Sequence, residues 1–280
     1  MKKGAIILTI WFSVASLLWS QAETLPVSVR PVNQSTLAGV GALFLNDTYL
    51  SPLRYDGIAF TLLHDRLNGS RYANARLLLQ QQYKIQAAST NNPTSSAAEY
   101  YGELDYRISG FYPLLQQSQF RLLAGGGWEA SLGGIYNMRN SNNPGSLKVS
   151  TNLNLSLMAF YGWCGVTFRW QLATPFIGLF FSPEYGHSYY EIFTLGNSQR
   201  TLHFASFHNQ QALRNYFTVD LPIRNVTLRA GYLGDYYRTD QNQLVTRVVS
   251  HQFVLGLAFE SLYFGGKRVR DNHWLKSVYY

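Results

Sequence analysis

Residues 149–162 read VSTNLNLSLMAFYG. Leu153, Leu155, Leu157, Ala159 and Tyr161 take every second place, and Asn152, Asn154 and Ser156 fall between them. Successive side chains of a β-strand face opposite sides. As a strand, this stretch has one apolar face and one small, polar face. A soluble sheet also alternates, but its solvent face commonly carries Lys and Glu. A polar face without charge suits a strand that turns leucine to lipid and asparagine to a lumen, over about 9–11 residues.

The same alternation recurs along the chain. Leu77, Leu79, Tyr83 and Ile85 oppose Arg76, Gln80, Gln82, Lys84 and Gln86. Leu104, Tyr106 and Ile108 oppose Glu103, Asp105, Arg107 and Ser109, while Phe120, Leu122, Trp128 and Leu132 oppose Arg121, Glu129 and Ser131. Phe168, Trp170 and Leu172 oppose Arg169 and Gln171, and Leu228, Ala230 and Tyr232 oppose Thr227, Arg229 and Asp235. Ten strands are predicted, over roughly 36–45, 56–66, 75–87, 100–110, 119–132, 149–161, 165–175, 212–221, 225–237 and 248–262. An even count puts both termini on one side. Short connections at 67–70, 163–165 and 221–225 alternate with long polar ones at 89–97, 137–148 and 239–245. The connection at 110–118 is longer than this scheme wants. Segment 176–211 reads as one long outer loop; if SYYEIF (188–193) and TLHFASF (201–207) instead pair within the wall, the count is twelve.

Composition agrees. Only 14% of residues are charged, against about 25% in an ordinary soluble domain. Aromatics reach 15%, with 20 Tyr. Such a balance fits a wall that faces lipid and carries aromatic girdles. The net charge of +8 is spread out, with no run of the kind nucleic acid selects. The single Cys164 excludes an internal disulfide. Beyond the N-terminal segment, no stretch of 18 apolar residues occurs. Residues 1–22 read as a secretory signal, with Lys2 and Lys3, an apolar core from Gly4 to Trp19 and the small-x-small site Ser20-Gln21-Ala22. Residues 23–280 are then expected to form one β-barrel domain with a tail at 266–280.

Several motifs in order carry a resemblance: NDTYLSPLRYDG (46–57), YNMRNSNNPGS (136–146), ATPFIGLFFSPEYGHSYYEIF (173–193), TVDLP (218–222) and VTRVVSHQFVLG (245–256). Over about 30–263 the chain resembles an uncharacterised family of exported, outer-membrane-barrel-like proteins from Bacteroidota, a domain of unknown function. The resemblance implies a barrel and no particular activity.

Two groups of residues are candidates for function. By alternation, Arg76, Lys84, Arg107, Arg121, Arg169 and Arg229 point inward, as do Glu103, Asp105, Glu129, Asp220 and Asp235. Charges inside a small barrel must be paired, so they are expected to form a salt-bridge plug; a narrow, gated path is the other use for them. The loop residues Glu184, Tyr185, His187, Ser188 and Glu191 hold the residue types of acyl transfer. Adjacent His187 and Ser188 would face opposite ways on a strand, which argues against direct pairing, and no catalytic residue is assigned. The six histidines show no metal-binding spacing, and no metal or cofactor is expected. The expected protein is a monomeric outer-membrane barrel with a plugged polar lumen, acting as a structural or surface-interaction protein. Its expected partners are membrane lipid and an unknown envelope component, not nucleic acid. A narrow solute channel, a lipid-active hydrolase and a soluble periplasmic lipid-binding barrel remain alternatives.

Overall fold

The computed structural model describes residues 31–69, 77–141, 143–223 and 226–262. Its strands are β1 (Pro31–Asp47), β2 (Ser51–Gly69), β3 (Leu78–Asn91), β4 (Ala98–Gln116), β5 (Phe120–Asn137), β6 (Gly145–Trp163), β7 (Val166–Phe181), β8 (Leu202–Ser206), β9 (Gln210–Ile223), β10 (Val226–Gln241) and β11 (Leu244–Leu262). One short helix, α1 (Tyr189–Phe193), precedes β8. Each wall strand pairs antiparallel with its sequence neighbour. β7 pairs with β9, and β1 with β11 from Pro31↔Leu262 to Asp47↔Thr246. The ring is therefore closed, an antiparallel barrel with ten wall positions.

β8 is an extra strand but not an extra wall position. It pairs with the upper part of β7 (Phe181↔Leu202 to Ile177↔Ser206), while β9 pairs with the lower part (Ala173↔Arg214 to Thr167↔Asp220). β8 and β9 run the same way and lie in series. Between them, Asn209 Oδ1 accepts from the Ser206 N–H at 3.0 Å, and Asn209 Nδ2 donates to the Phe204 carbonyl at 2.8 Å. The side chain bridges a break in what would otherwise be one long strand. SYYEIF is helical, so the twelve-strand arrangement does not form.

The strands overrun the predicted ranges because the alternation continues past the apolar core of each run. β4 extends to Gln116, so the supposed long connection at 110–118 is only 117–119. The polar stretch 239–245 is no long loop either. Asn242 and Gln243 both have positive φ (56° and 63°) and close a two-residue hairpin. Cys164 and Gly165 (49° and 80°) do the same at the other end. The connections 48–50, 92–97, 138–141 with 143–144, and 242–243, together with the segment 182–209 that holds α1 and β8, gather at one end, called the mouth. The opposite end carries the connections at 117–119 and 164–165 and the start of β1. At Gly127 a Cβ would sit 2.0 Å from the Ile108 carbonyl oxygen, so β5 presses on β4 where only glycine fits.

The two faces separate by chemistry. Phe60, Leu62, Ile85, Leu104, Leu155, Phe253 and Leu257 are exposed on the outside. Inside lie Gln80, Gln82, Lys84, Asn152 and Asn154, all buried. Asn152 and Asn154, the alternating polar residues of β6, therefore line the lumen.

Candidate functional site

The lumen is filled by layers. Nearest the terminal end, Leu67, Leu78, Phe111, Leu123, Met158 and Phe160 form an apolar cluster on β2–β6. Beside and above it lies a lower charged layer. Arg229 makes a two-pronged pair with Asp220 (Nε–Oδ1 and Nη2–Oδ2, both 2.6 Å), and donates to Ser35 Oγ at 2.7 Å and Asn33 Oδ1 at 3.0 Å. Arg169 pairs with Asp65. These two belong to β7 and β2, five places apart in a ring of ten, so the bond crosses the lumen. Asp65 also accepts from Gln80 at 2.8 Å and lies 3.6 Å from Arg229. Gln80 and Gln171 exchange hydrogen bonds, each Nε2 donating to the other's Oε1, at 2.9 and 2.8 Å. Above this layer, Leu37, Leu63, Tyr216, Leu233 and Val254 form a second apolar cluster.

The upper charged layer has more acid and more room. Lys84 bridges Glu103 (2.7 Å) and Asp235 (2.8 Å). Arg214 bridges Asp105 (2.8 Å) and Asp235 (2.6 Å). Arg107 pairs with Glu129, which also accepts from Asn154 at 2.8 Å. A cavity of about 50 Å³ lies among these groups. Arg121 is buried near the terminal end of β5. Arg76 lies outside the described residues.

Alternation alone missed Asp65 and Arg214. Asp65 sits in TLLHDRL, where Leu63 and Leu67 share its inward face and Leu62 lies outside, so both faces look apolar. Arg214 lies near the broken start of β9, where little pattern precedes it. For Asp65 the signal available was the one-charge excess of bases in the inward set; that excess does not point to Arg214.

The mouth is crossed as well. Lys148 on β6 pairs with Asp47 on β1 at 2.8 Å and donates to Thr246 Oγ1 at 2.7 Å. Above this pair lies the segment 182–201. The Tyr49 hydroxyl, in the β1–β2 turn, donates to the His187 carbonyl at 2.8 Å. The Tyr189 hydroxyl accepts from the Leu147 N–H of β6 at 2.6 Å. The segment thus spans from β6 and β7 to the far side of the ring. Tyr189 meets Tyr49 edge-on and packs against Phe181 and Phe193. Burial, with help from Tyr189 and Asp47, pushes the Tyr49 phenol up to about 12, so it keeps the proton it donates. Burial likewise raises Tyr189. Asn242 ties the segment from another side, donating to the Pro183 and Arg200 carbonyls at 3.2 and 3.3 Å.

The loop candidates do not assemble a nucleophile and base. Ser188 is the N-cap of α1: its Oγ accepts from the Glu191 N–H at 3.2 Å, and Glu191 Oε2 accepts from the Ser188 N–H at 2.8 Å. This is a reciprocal capping box, readable in the sequence as S-x-x-E. The Ser188 N–H and hydroxyl together hold the Glu191 carboxyl below its ordinary range. His187 faces Glu184 at 3.8 Å, and Arg200 faces it at 3.6 Å. Tyr185 is exposed. His203 bonds the Ser182 carbonyl and Asn242, and His208 bonds Ser206, so neither attends Ser188. Among the described residues no group of three His, Cys, Asp or Glu could hold a metal ion.

Residues 6–268 match the family described as "Protein of unknown function (DUF3316)". The chain belongs to the DUF3316 family. No curated protein matches it. Several solved outer-membrane proteins are similar in shape. The translocator domain of the autotransporter NalP from Neisseria meningitidis is 8% identical at a TM-score of 0.35, with 91% of this chain and 96% of that one covered. The P. putida toluene transporter TodX is 8% identical at 0.29, covering 90% and 92%. CdiB from Acinetobacter baumannii is 7% identical at 0.32, and the match covers 83% of this chain and 60% of CdiB. The barrel assignment for this DUF3316 member rests on its closed strand register.

Proposed function

We propose that this DUF3316 protein is an outer-membrane barrel with its mouth facing outward and its lumen shut, serving as a structural or surface-interaction element of the cell envelope. The observation that carries the reading is the crossing of the lumen by ion pairs between opposite strands, Asp65–Arg169 and Asp47–Lys148. The 50 Å³ cavity between them has room for about one or two water molecules, not a solute path.

Membrane insertion is supported by the outer face. Besides being apolar, it pairs its own polar groups. Trp128 Nε1 donates to Thr151 at 2.7 Å, and Trp170 Nε1 to Asn215 at 2.8 Å. Thr36 and His64 meet at 2.9 Å, and Tyr232 and His251 at 2.6 Å. Hydrocarbon offers no hydrogen bonds, so outward polar groups must find partners on the wall. A soluble lipid-binding barrel would turn its largest apolar faces inward; here they turn outward. The surface-interaction role is supported by exposed Tyr185, Tyr190 and Leu195 on the segment over the mouth.

The test is to refold the chain in detergent, compare gel mobility unboiled and boiled, and then record from planar bilayers. The expected result is a heat-dependent mobility shift without conductance steps. Steady ohmic steps would replace the closed barrel with a channel. Absence of the shift, with extraction into buffer alone, would end the membrane reading.

A further inference from the structure

A groove of about 520 Å³ opens on the outside of the wall near the mouth, across β11, β1 and β2. Phe44, Val249 and His251 line it together with Arg54 and Arg247. The guanidinium of Arg54 lies over the Phe44 ring at 4.4 Å, and that of Arg247 over the Tyr236 ring at 5.7 Å. Arg54 uses its Nε on Asp56 at 2.7 Å, and Asp56 stands opposite Phe44 in the β1–β2 register, at the level of the groove, leaving the other guanidinium nitrogens of Arg54 for a ligand. Among the described residues, no carboxylate pairs with Arg247. In the β10–β11 register Arg247 lies directly opposite Arg238. Like charges in that position destabilise a sheet, and Arg238 turns to Asp240 at 3.1 Å. The fold does not require this crowding of cations at the rim.

Height along the wall suggests what they meet. Strands of 14–19 residues, tilted as barrel strands are, rise roughly 35–45 Å. The apolar band of such barrels is only about 25 Å tall. Below the groove the outward face is hydrocarbon-like, with Ile58, Phe60, Phe253 and Leu255 exposed. At the groove it becomes charged, with Arg54 and Arg247 against the single carboxylate of Asp56. That border is the depth of lipid headgroups.

Resting on the membrane reading above, we infer that this groove holds an anionic lipid whose headgroup phosphate carries no compensating cation. The phosphate lies between Arg54 and Arg247, and the acyl chains run down the exposed row from Ile58 to Phe253. Guanidiniums suit this chemistry because they present paired donors to phosphate oxygens. Their stacking on Phe44 and Tyr236 leaves them partly ordered before the lipid arrives.

The experiment uses the refolded full chain, first shown to migrate with a heat-dependent shift. Native mass spectrometry from detergent then compares retention of phosphatidic acid and phosphatidylcholine of the same chains. Wild type is expected to retain one phosphatidic acid with about tenfold preference. The variant Arg54→Gln/Arg247→Gln is expected to lose that preference while keeping the heat shift. Inorganic phosphate at millimolar concentration is expected not to displace the lipid. Equal retention of both lipids by wild type, or an unchanged preference in the variant, overturns the inference while the barrel stands. Displacement by inorganic phosphate reduces it to a soluble-anion site and overturns it as stated. Loss of the heat shift in wild type removes the membrane reading and the inference together.

Discussion

The two charged layers of the lumen use the same residue types and differ in how dry they are. In the lower layer Arg229, Arg169 and Asp65 are all 0–1% exposed, and each acid is matched to a planar guanidinium. In the upper layer Glu103 and Asp235 keep 17% of their side-chain surface, and a cavity lies beside them. Here Asp235 is shared between Lys84 and Arg214, so each of those two cations has two carboxylate partners. A dry pair closed off from water seals a lumen but tolerates no loss of its carboxylate. A wet, shared network tolerates loss because a second partner or water can take over. The lower layer therefore acts as the seal, and the upper layer supports the mouth.

The largest expected effect tests the seal. Asp65→Ala leaves Arg169 without its carboxylate in a fully buried site. Breaking such a pair costs about 3–5 kcal/mol. We expect a lower urea midpoint for unfolding in detergent and a lower temperature for the gel shift. Replacing both partners, as Asp65→Leu with Arg169→Met, is expected to recover most of the loss, because the stranded charge goes as well. If the double variant is as unstable as the single one, packing rather than charge is what the layer supplies.

Glu103→Ala is the matching change above. Lys84 keeps Asp235, and the cavity admits water beside the gap. The expected loss is about 1–3 kcal/mol, the worth of a charged hydrogen bond. Equal losses at Asp65 and Glu103 would erase the distinction between the layers. A conductance appearing in Asp65→Ala but not in Glu103→Ala would sharpen it.

This division was partly legible from the chain. Period-two alternation marked the wall, because one buried face forces every strand to keep its register. It sent Lys84, Arg107 and Arg169 inward without reference to their partners. Partners were not legible, because Asp65 and Arg169 are 104 residues apart and meet only when the ring closes. Asp65 was also hidden between inward leucines, since an apolar cluster lies on each side of its layer. Strand ends were read too short because the wall rises beyond the apolar band, and there the outward face turns polar and the contrast fades. At the mouth, the aromatic run of SYYEIF suggested a strand. The capping box was the stronger local signal, since it supplies partners for the first free N–H groups of a helix.

A smaller effect concerns that cover. Ser188→Ala removes one side of the box, at a local cost of about 1 kcal/mol. The barrel does not depend on α1, so the urea midpoint and heat shift are expected to stay unchanged. Limited proteolysis within 184–200 is expected to become several-fold faster. An equal fall in global stability would mean that the cover and the upper layer are one cooperative unit.

The smallest effect is the pH dependence of the same cap. The Glu191 carboxyl is held below its ordinary value of 4.5 by the Ser188 N–H and hydroxyl. A depressed folded-state value means that the ionised form is the one the cap favours. Its contribution is complete above the ordinary value and is lost as pH falls through the depressed one. Proteolysis of 184–200 by an acid-tolerant protease should therefore hold one rate from pH 7 to pH 5, after correction for the protease's own profile, and rise only below pH 4.5. Glu191→Gln should flatten that rise, because glutamine can still accept from the Ser188 N–H but does not titrate. A rise already under way between pH 7 and pH 5 would mean that the Glu191 carboxyl does not control the cover.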